Sequence, residues 1–141
     1  MIKISKMADY SVVILVTLSS HDDELMNTSH LAELTKLSES TVAKVLKLLG
    51  KAGIVRSARG INGGYALVQA EDETTIEDII CAVDGPLMIT ACSDGAEPDC
   101  ALGHSCSVRG RWDDVNRAMR EVLRSMTLSD MMGDKQKMEV A

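Results

Sequence analysis

One glycine-rich stretch constrains the fold most, because it is flanked by two runs of strand-forming residues. Residues 54–57 and 64–68 are the two predicted strands. The residues that can adopt positive φ angles there at little cost are Gly60, Asn62, Gly63 and Gly64. The stretch therefore predicts a tight β-hairpin. It does not indicate a nucleotide-binding loop, because no Lys-Ser or Lys-Thr pair follows it and it does not open a helix.

Three helical patterns precede the hairpin. Residues 8–20 carry apolar side chains three and four positions apart and form the first predicted helix. A short second helix is predicted after an N-cap at Thr28 or Ser29. A tight turn at residues 36–37 then leads to a third helix capped by Ser38.

The third helix has an apolar and a polar stripe. Its predicted buried residues are Val42, Val45, Leu46 and Leu49. Small hydroxyl residues come first on the polar stripe and lysines follow, which is typical of the second helix of a helix-turn-helix. A hairpin directly after such a helix would be a wing, and Arg59 at its tip could enter a minor groove. The alternative is an ordinary three-helix bundle with a charged outer face.

The charge distribution supports the nucleic-acid interpretation. The net charge is −6, yet residues 36–64 hold six basic residues and one acid, while residues 69–105 hold nine acids and neither Lys nor Arg. A local basic block on an acidic body suits a small DNA-reading unit, although a solvated helix face would also explain it. The candidate DNA contacts are Ser38, Ser40, Thr41, Lys44, Lys47, Arg56 and Arg59. Of these, Lys47 and Arg56, together with Lys51, are expected to contact only phosphates.

A second helical region follows the hairpin. Thr74 or Thr75 is the predicted cap of a helix over residues 76–83. Further on, apolar residues recur with spacings of 4-3-4-3-4, which is an a/d coiled-coil pattern. We call this set the C-terminal seam: Val108, Trp112, Val115, Met119, Val122 and Met126. The seam could pack on its own domain or on a twin helix, and the twin is favoured because winged heads usually read two half-sites.

These patterns together predict a mainly α fold with a small β-hairpin wing and a long C-terminal dimerisation helix. Residues 1–84 would form the winged helix-turn-helix, residues 85–107 a cysteine-rich loop and residues 108–128 the dimerisation helix. Residues 129–141 lack periodicity and are predicted to be a disordered tail. Only 2% of the residues are aromatic, so the core must be aliphatic.

Four cysteines add a chemical signal. Cys81 lies among apolar residues of a predicted helix and is expected to be a small core residue. Cys92, Cys100 and Cys106 are separated by seven and five residues in a loop rich in small residues. Structural zinc prefers shorter spacings, whereas thiolates on a flexible loop could surround an iron–sulfur cluster. Iron–sulfur, zinc and a thiol redox switch all remain open at this point.

Other classes of protein are disfavoured. No apolar run has the length of a membrane span, and no cleavable signal sequence is evident, so a cytoplasmic protein without membrane contact is expected. No Ser/His/Asp set or nucleophile elbow is present, so neither an enzyme nor a small-molecule substrate is expected.

The chain resembles the Rrf2 family of bacterial transcription regulators over residues 1–130. The similarity is carried by ISKMADYSVVIL, by LAELTKLSESTVAKVLKLLGKAGIVRSARGINGGYALV, by IEDIICAVDGP, and by the cysteines followed by SVRGRWDDVNRAMREVL. Within the family it is most similar to the SUF-system regulators of iron–sulfur assembly. The resemblance implies a homodimer that binds double-stranded operator DNA.

The resemblance also implies a two-iron or four-iron cluster bound by Cys92, Cys100 and Cys106. Arg109 occupies the position of a histidine ligand in a relative, so the fourth ligand must differ. Asp9, donated by the other subunit, is the first candidate, and its alternative role is a cap of the first helix. Weaker candidates are His104, His30, Glu97 and Asp99.

The expected function is therefore a repressor of iron–sulfur assembly genes that senses its signal through a bound cluster. Two alternatives remain: a nitric-oxide- or redox-responsive regulator of the same type, and a cluster or metal scaffold that does not bind DNA.

Overall fold

The computed structural model describes residues 1–21, 24–93 and 100–133, and the predicted ligand candidates Glu97 and Asp99 lie outside these residues. Within the described ranges the chain forms six α-helices and one two-stranded sheet, which confirms the mainly α class with a hairpin. The helices are α1 (Lys6–Ser19), α2 (Thr28–Thr35), α3 (Glu39–Lys51), α4 (Ile76–Asp84), α5 (Arg111–Ser125) and α6 (Leu128–Met131). The strands are β1 (Val55–Ala58) and β2 (Gly64–Leu67).

Side-chain oxygens cap the first four helices. Ser5 caps α1 and Ser38 caps α3, the latter as predicted. The prediction for α2 is wrong: Thr28 is already helical, and the extended backbone of Asn27 lets its Oδ1 accept the His30 backbone N–H at 2.8 Å. Asn, Ser and Thr are all good N-caps, so composition alone does not distinguish neighbouring candidates.

Thr75 rather than Thr74 caps α4, because the hydroxyl of buried Thr74 instead donates to the Ala70 carbonyl at 3.1 Å. The turn between α2 and α3 falls where the sequence predicts it. Lys36 adopts a left-handed φ of 61°, which ends α2 before Ser38 starts α3.

The hairpin is built by three glycines with different constraints. Val55 pairs with Leu67 and Ala58 with Gly64, so β1 begins one residue later than predicted. Gly60 has a φ of 120°. A Cβ on Gly63 would lie 2.4 Å from the Ala58 carbonyl oxygen, and one on Gly64 would lie 2.6 Å from the backbone of Met26.

The core is aliphatic, as predicted. All four residues of the predicted α3 stripe are fully buried, and they pack with Ile14, Leu15, Leu31, Ile79 and Leu128. α1 contacts α2, α3, α4 and α6, so the core lies around α1.

The C-terminal region differs from the sequence prediction in two ways. Gly110, in a left-handed conformation, precedes α5, so the helix spans 111–125 rather than 108–128. α6 and Met132 occupy the beginning of the predicted disordered tail: Met132 is 4% exposed, and its Sδ accepts the Ser19 hydroxyl at 3.4 Å. Residues 134–141 of the predicted tail lie outside the described residues.

Among the helices of the described ranges, none combines the length and apolarity needed to cross a bilayer.

Candidate nucleic-acid interface and thiol loop

The polar face of α3 is open to solvent. Ser38, Ser40, Lys44 and Lys47 are exposed and Thr41 is partly exposed. The hydroxyls organise the first turn, because Ser38 Oγ accepts the Thr41 backbone N–H at 3.2 Å and lies 2.7 Å from Thr41 Oγ1. Hydroxyls followed one turn later by lysines offer hydrogen bonds to base edges and positive charge to phosphates.

The wing carries two exposed arginines. Arg56 on β1 and Arg59 after it are both exposed. Arg56 also lines a groove that includes Glu24 and Glu71. Arg59 does not line that groove and follows the strand at the beginning of the hairpin tip. Both arginines stay candidates for DNA contacts.

A buried carboxylate joins α4 to α5, and the sequence analysis missed it. The Glu77 side chain is 5% exposed, and its two oxygens accept Arg120 Nε and Arg124 Nε at 2.7 Å each. Burial alone would raise the pKa of Glu77, but the hydrogen bonds and charges of the two arginines outweigh it and hold the pKa below its usual value. Because the partners lie 43 and 47 residues away, no local pattern could reveal the pairing.

Asn116 is a second residue that the sequence analysis missed. It is 2% exposed, and its Oδ1 accepts the Ile89 backbone N–H at 3.2 Å. This bond attaches the first part of the thiol loop (residues 85–107) to α5. Asn116, Arg120 and Leu123 face the body of the protein at helical spacing.

Most of the C-terminal seam lies on a different face of α5, but Met119 is partly buried and lines a groove with Ile80 and Leu123. Trp112, Val115 and Val122 are 41%, 43% and 63% exposed. Val108 and Met126 flank the helix and are also exposed. The described residues of this chain therefore leave most of the seam uncovered, which favours the second of the two alternatives, a twin helix.

The three loop cysteines are all free thiols. Cys92 and Cys106 are partly exposed and Cys100 is exposed. Cys92 Sγ lies 3.3 Å from Thr90 Oγ1, and the same hydroxyl lies 2.9 Å from that of buried Ser93. Gly103–Ser105 form a short 3₁₀ turn between Cys100 and Cys106.

The structure places the candidate fourth ligands on three different elements. Asp9 is exposed in the first turn of α1, and its alternative role as the cap is wrong because Ser5 caps that helix. His104 is exposed and its Nδ1 contacts the Arg109 guanidinium. His30 is exposed on α2 beside His21, with the ring centroids 6.5 Å apart.

Cys81 differs from its predicted role as a core residue. It is partly exposed and lines a groove with Ile54, Val68 and Asp78. Its predicted neighbour Ile80 is 5% exposed and takes the core position instead.

The chemistry of the loop donors fits an iron–sulfur cluster, because cysteine thiolates are the usual ligands of such clusters. Across the described ranges, however, no group of three or more His, Cys, Asp or Glu side chains is close enough to hold a metal ion. The loop residues that could bring Cys92 and Cys100 together include 94–99, which lie outside those ranges.

The arrangement of α2, α3 and the hairpin is that of a winged helix-turn-helix, a class of DNA-binding proteins in which the second helix reads the major groove. The chain belongs to the Rrf2 family: the family model, described as iron-dependent transcriptional regulator, matches residues 4–134. Members of this family regulate transcription by binding DNA and are not enzymes.

Three relatives illustrate the range of the family. The transcriptional regulator IscR of Vibrio cholerae is 30% identical over 94% of this chain and 76% of its own length. The structure of CymR, the global cysteine regulator of B. subtilis, has a TM-score of 0.72 at 30% identity and covers 94% of this chain and 97% of its own. The structure of IscR from T. potens has a TM-score of 0.70 at 29% identity, and the match covers 99% of this chain and 93% of the IscR chain.

Proposed function

We propose that this protein is a homodimeric repressor of iron–sulfur assembly genes, and that a cluster held by Cys92, Cys100 and Cys106 sets its affinity for operator DNA. Such a repressor acts in the cytoplasm. The observation that carries the proposal is the position of three free thiols on the loop that leads into α5, whose seam is exposed.

The DNA contacts are proposed from exposure and charge. α3 would enter the major groove with the hydroxyls of its first turn at the base edges, and its lysines would reach phosphates. Arg59 would enter the neighbouring minor groove, where narrow A·T-rich segments concentrate negative potential. The full proposed set is Ser38, Ser40, Thr41, Lys44, Lys47, Arg56 and Arg59.

The cluster would be held by the three loop thiolates and by Asp9 of the other subunit, whose carboxylate is exposed in this chain. When bound, an iron–sulfur cluster supplies a centre that changes with redox state and with iron supply. The fourth ligand would tie the loop of one subunit to α1 of the other.

The loop is attached to α5 at both ends, which gives the thiols a route to the DNA-binding unit. Ile89 is bonded to Asn116 at the start of the loop, and Gly110 leads directly into α5 at its end. Binding of the three thiolates to one cluster would shift the first turns of α5. The second half of α5 would stay attached to α4 through Glu77. In a dimer this would change the separation of two recognition helices that must match half-sites about one helical turn, roughly 34–36 Å, apart.

Anaerobic purification of the full chain tests the proposal. We expect visible absorption with bound iron and sulfide, and binding to a duplex from the protein's own upstream region. The triple variant C92S/C100S/C106S should be colourless, and its operator affinity should differ by roughly 5- to 150-fold, the range of typical allosteric coupling. C81S is the matched control and should keep both properties, because Cys81 lies on α4 outside the loop.

Unchanged promoter occupancy by the triple variant in cells, under iron-replete, iron-poor and oxidising conditions alike, would refute the proposed sensing mechanism. A wild-type protein that carries a cluster but shifts no fragment of its upstream region would favour the scaffold alternative.

A second candidate is a regulator with the same DNA-binding unit and no cluster. Two observations favour it: the similarity to CymR, the global cysteine regulator of B. subtilis, and the absence of a gathered ligand set in the described ranges. A colourless, iron-free anaerobic protein that binds the upstream duplex tightly would support this candidate over the cluster-dependent one.

A further inference from the structure

The tip of the wing carries a fully exposed apolar side chain, Ile61. Ile61 has a relative exposure of 105%, whereas Val55 and Ala66 on the strands below are 3% and 9% exposed. A single exposed apolar residue is unremarkable by itself. Ile61 differs from other exposed apolar residues because the backbone of the hairpin tip holds it in a fixed position.

The backbone around Ile61 is held in a fixed turn. Gly60 adopts a φ of 120°, and the Gly63 N–H donates to the Gly60 carbonyl at 3.0 Å. Gly63 is also packed so closely that a Cβ would lie 2.4 Å from the Ala58 carbonyl oxygen. A closed turn of this kind holds Ile61 at the apex, away from the hydrophobic core.

The surroundings of the tip are basic and polar rather than apolar. Arg59 lies two residues before Ile61 and Asn62 directly after it, and both are exposed. A protein partner would be expected to meet a larger apolar patch. An arginine, an aliphatic side chain and an amide on one narrow projection instead fit the minor groove of a DNA duplex, which is about 6 Å wide.

We propose that Ile61 is an apolar wedge that enters the operator minor groove beside Arg59 and partly unstacks one base step. This inference rests on the proposed function, since it requires a DNA-bound wing. Minor-groove proteins insert Phe, Leu, Ile, Met or Pro between base steps and so kink the duplex. The wedge would favour a flexible pyrimidine–purine step under the wing, and this adds sequence preference at a position without base-edge hydrogen bonds.

The roles proposed for Ile61 and Arg59 predict different salt dependences of operator affinity. Loss of a phosphate or groove charge lowers the slope of log affinity against log salt by about 1. Loss of an apolar contact lowers affinity without changing that slope. Ile61→Ser should therefore weaken operator binding by roughly tenfold at every salt concentration, equivalent to about 1.4 kcal/mol. Arg59→Ala should weaken binding and also flatten the slope.

The experiment uses the full chain and a duplex from its own upstream region, narrowed to the protected site by footprinting. Fluorescence anisotropy gives the affinity, and 2-aminopurine placed at each step under the wing reports unstacking. Val68→Ser is the matched control, because Val68 is an exposed aliphatic residue (52%) just beyond β2 and away from the tip. We expect the 2-aminopurine signal of wild type and V68S to rise on binding and that of I61S to stay near its free value.

The outcomes separate the wedge from the wider proposal. If I61S matches wild type in affinity and 2-aminopurine signal while R59A binds more weakly, the wedge is wrong and DNA binding by the wing stands. If I61S and R59A both match wild type, the wing does not contact DNA and the wedge is also wrong. If wild type binds no upstream fragment, the proposed function itself fails. The melting temperature of I61S should equal that of wild type, which excludes misfolding as the cause of weaker binding.

Discussion

Replacing Glu77 by glutamine would test the joint between the DNA-binding unit and α5. The carboxylate lies almost wholly inside the protein and accepts one hydrogen bond from Arg120 and one from Arg124, each at 2.7 Å. Glutamine keeps the shape of the side chain. It removes the charge and replaces one acceptor oxygen by an amide that points donors at an arginine.

The expected loss of stability follows from these contacts. A hydrogen bond to a charged group contributes about 1.5–3 kcal/mol. Two such bonds would suggest a larger loss of stability than one. However, the side chains of Arg120 and Arg124 are 32% and 63% exposed, so both can hydrogen-bond to water when their acceptor is lost. No buried charge is then stranded, which is the condition for the largest penalties. We therefore expect a loss of about 2 kcal/mol, seen as a drop in Tm of about 6 °C.

The effect should depend on pH with a defined sign. The folded-state pKa of Glu77 is lowered, so its carboxylate stabilises the folded protein fully above the unfolded pKa of about 4.3. That stabilisation is lost as pH falls through the lower folded-state pKa, because the protonated carboxyl resembles glutamine. The difference in stability between wild type and E77Q should be constant near neutral pH and close on acidification below about pH 4.

Urea denaturation at fixed protein concentration, repeated from pH 7 to pH 3, measures both quantities. Glu73→Gln is the matched control, because Glu73 is exposed in the segment just before α4 and should lie within about 0.5 kcal/mol of wild type. An E77Q protein as stable as E73Q, or a difference that persists unchanged at pH 3, would show that the two arginines do not stabilise the joint.

Two further substitutions test the wing and the seam. Gly64→Ala should lower the free energy of unfolding by about 2–3 kcal/mol, because its Cβ would lie 2.6 Å from the backbone of Met26 and break the two backbone hydrogen bonds between Met26 and Tyr65. Gly50→Ala lies inside α3 and its Cβ would have its nearest contact at 3.9 Å, so its urea midpoint should stay unchanged or rise. Val122→Asp should leave the monomer folded and shift sedimentation toward the monomer at micromolar concentration. Val68→Asp should sediment as wild type does. Equal sedimentation of the two variants would contradict a dimer formed through the C-terminal seam.

Much of the fold could be predicted because its elements are encoded locally. The Ser38 cap, the turn at Lys36 and the buried stripe of α3 all depend on residues within one or two helical turns of each other. The same holds for the hairpin, where glycine spacing indicates the turn. Where several neighbours could fill one role, the prediction failed: Asn27, not Thr28 or Ser29, caps α2.

The candidate site was predictable in its chemistry and less so in its geometry. The lysines and most of the hydroxyls lie exposed on α3, and Arg59 is exposed beside the hairpin turn, while their contact with DNA stays a prediction. The joint placement of the loop thiols is not set by any local pattern, so their role as a ligand set stays a prediction. Cys81 looked like a core residue because its neighbours are apolar, yet α4 turns it partly outward.

The sequence by itself determined the helix-turn-helix and the hairpin of this protein, because hydrophobic periodicity, helix caps and turn glycines act over a few residues. Tertiary structure decided how α5 is joined to them. Glu77 meets Arg120 and Arg124 across more than forty residues, and α6 returns to cover α1 with Leu128 and Met132. Such contacts arise only when separate helices have docked, because a buried charge selects its partners by position in space and not by distance along the chain.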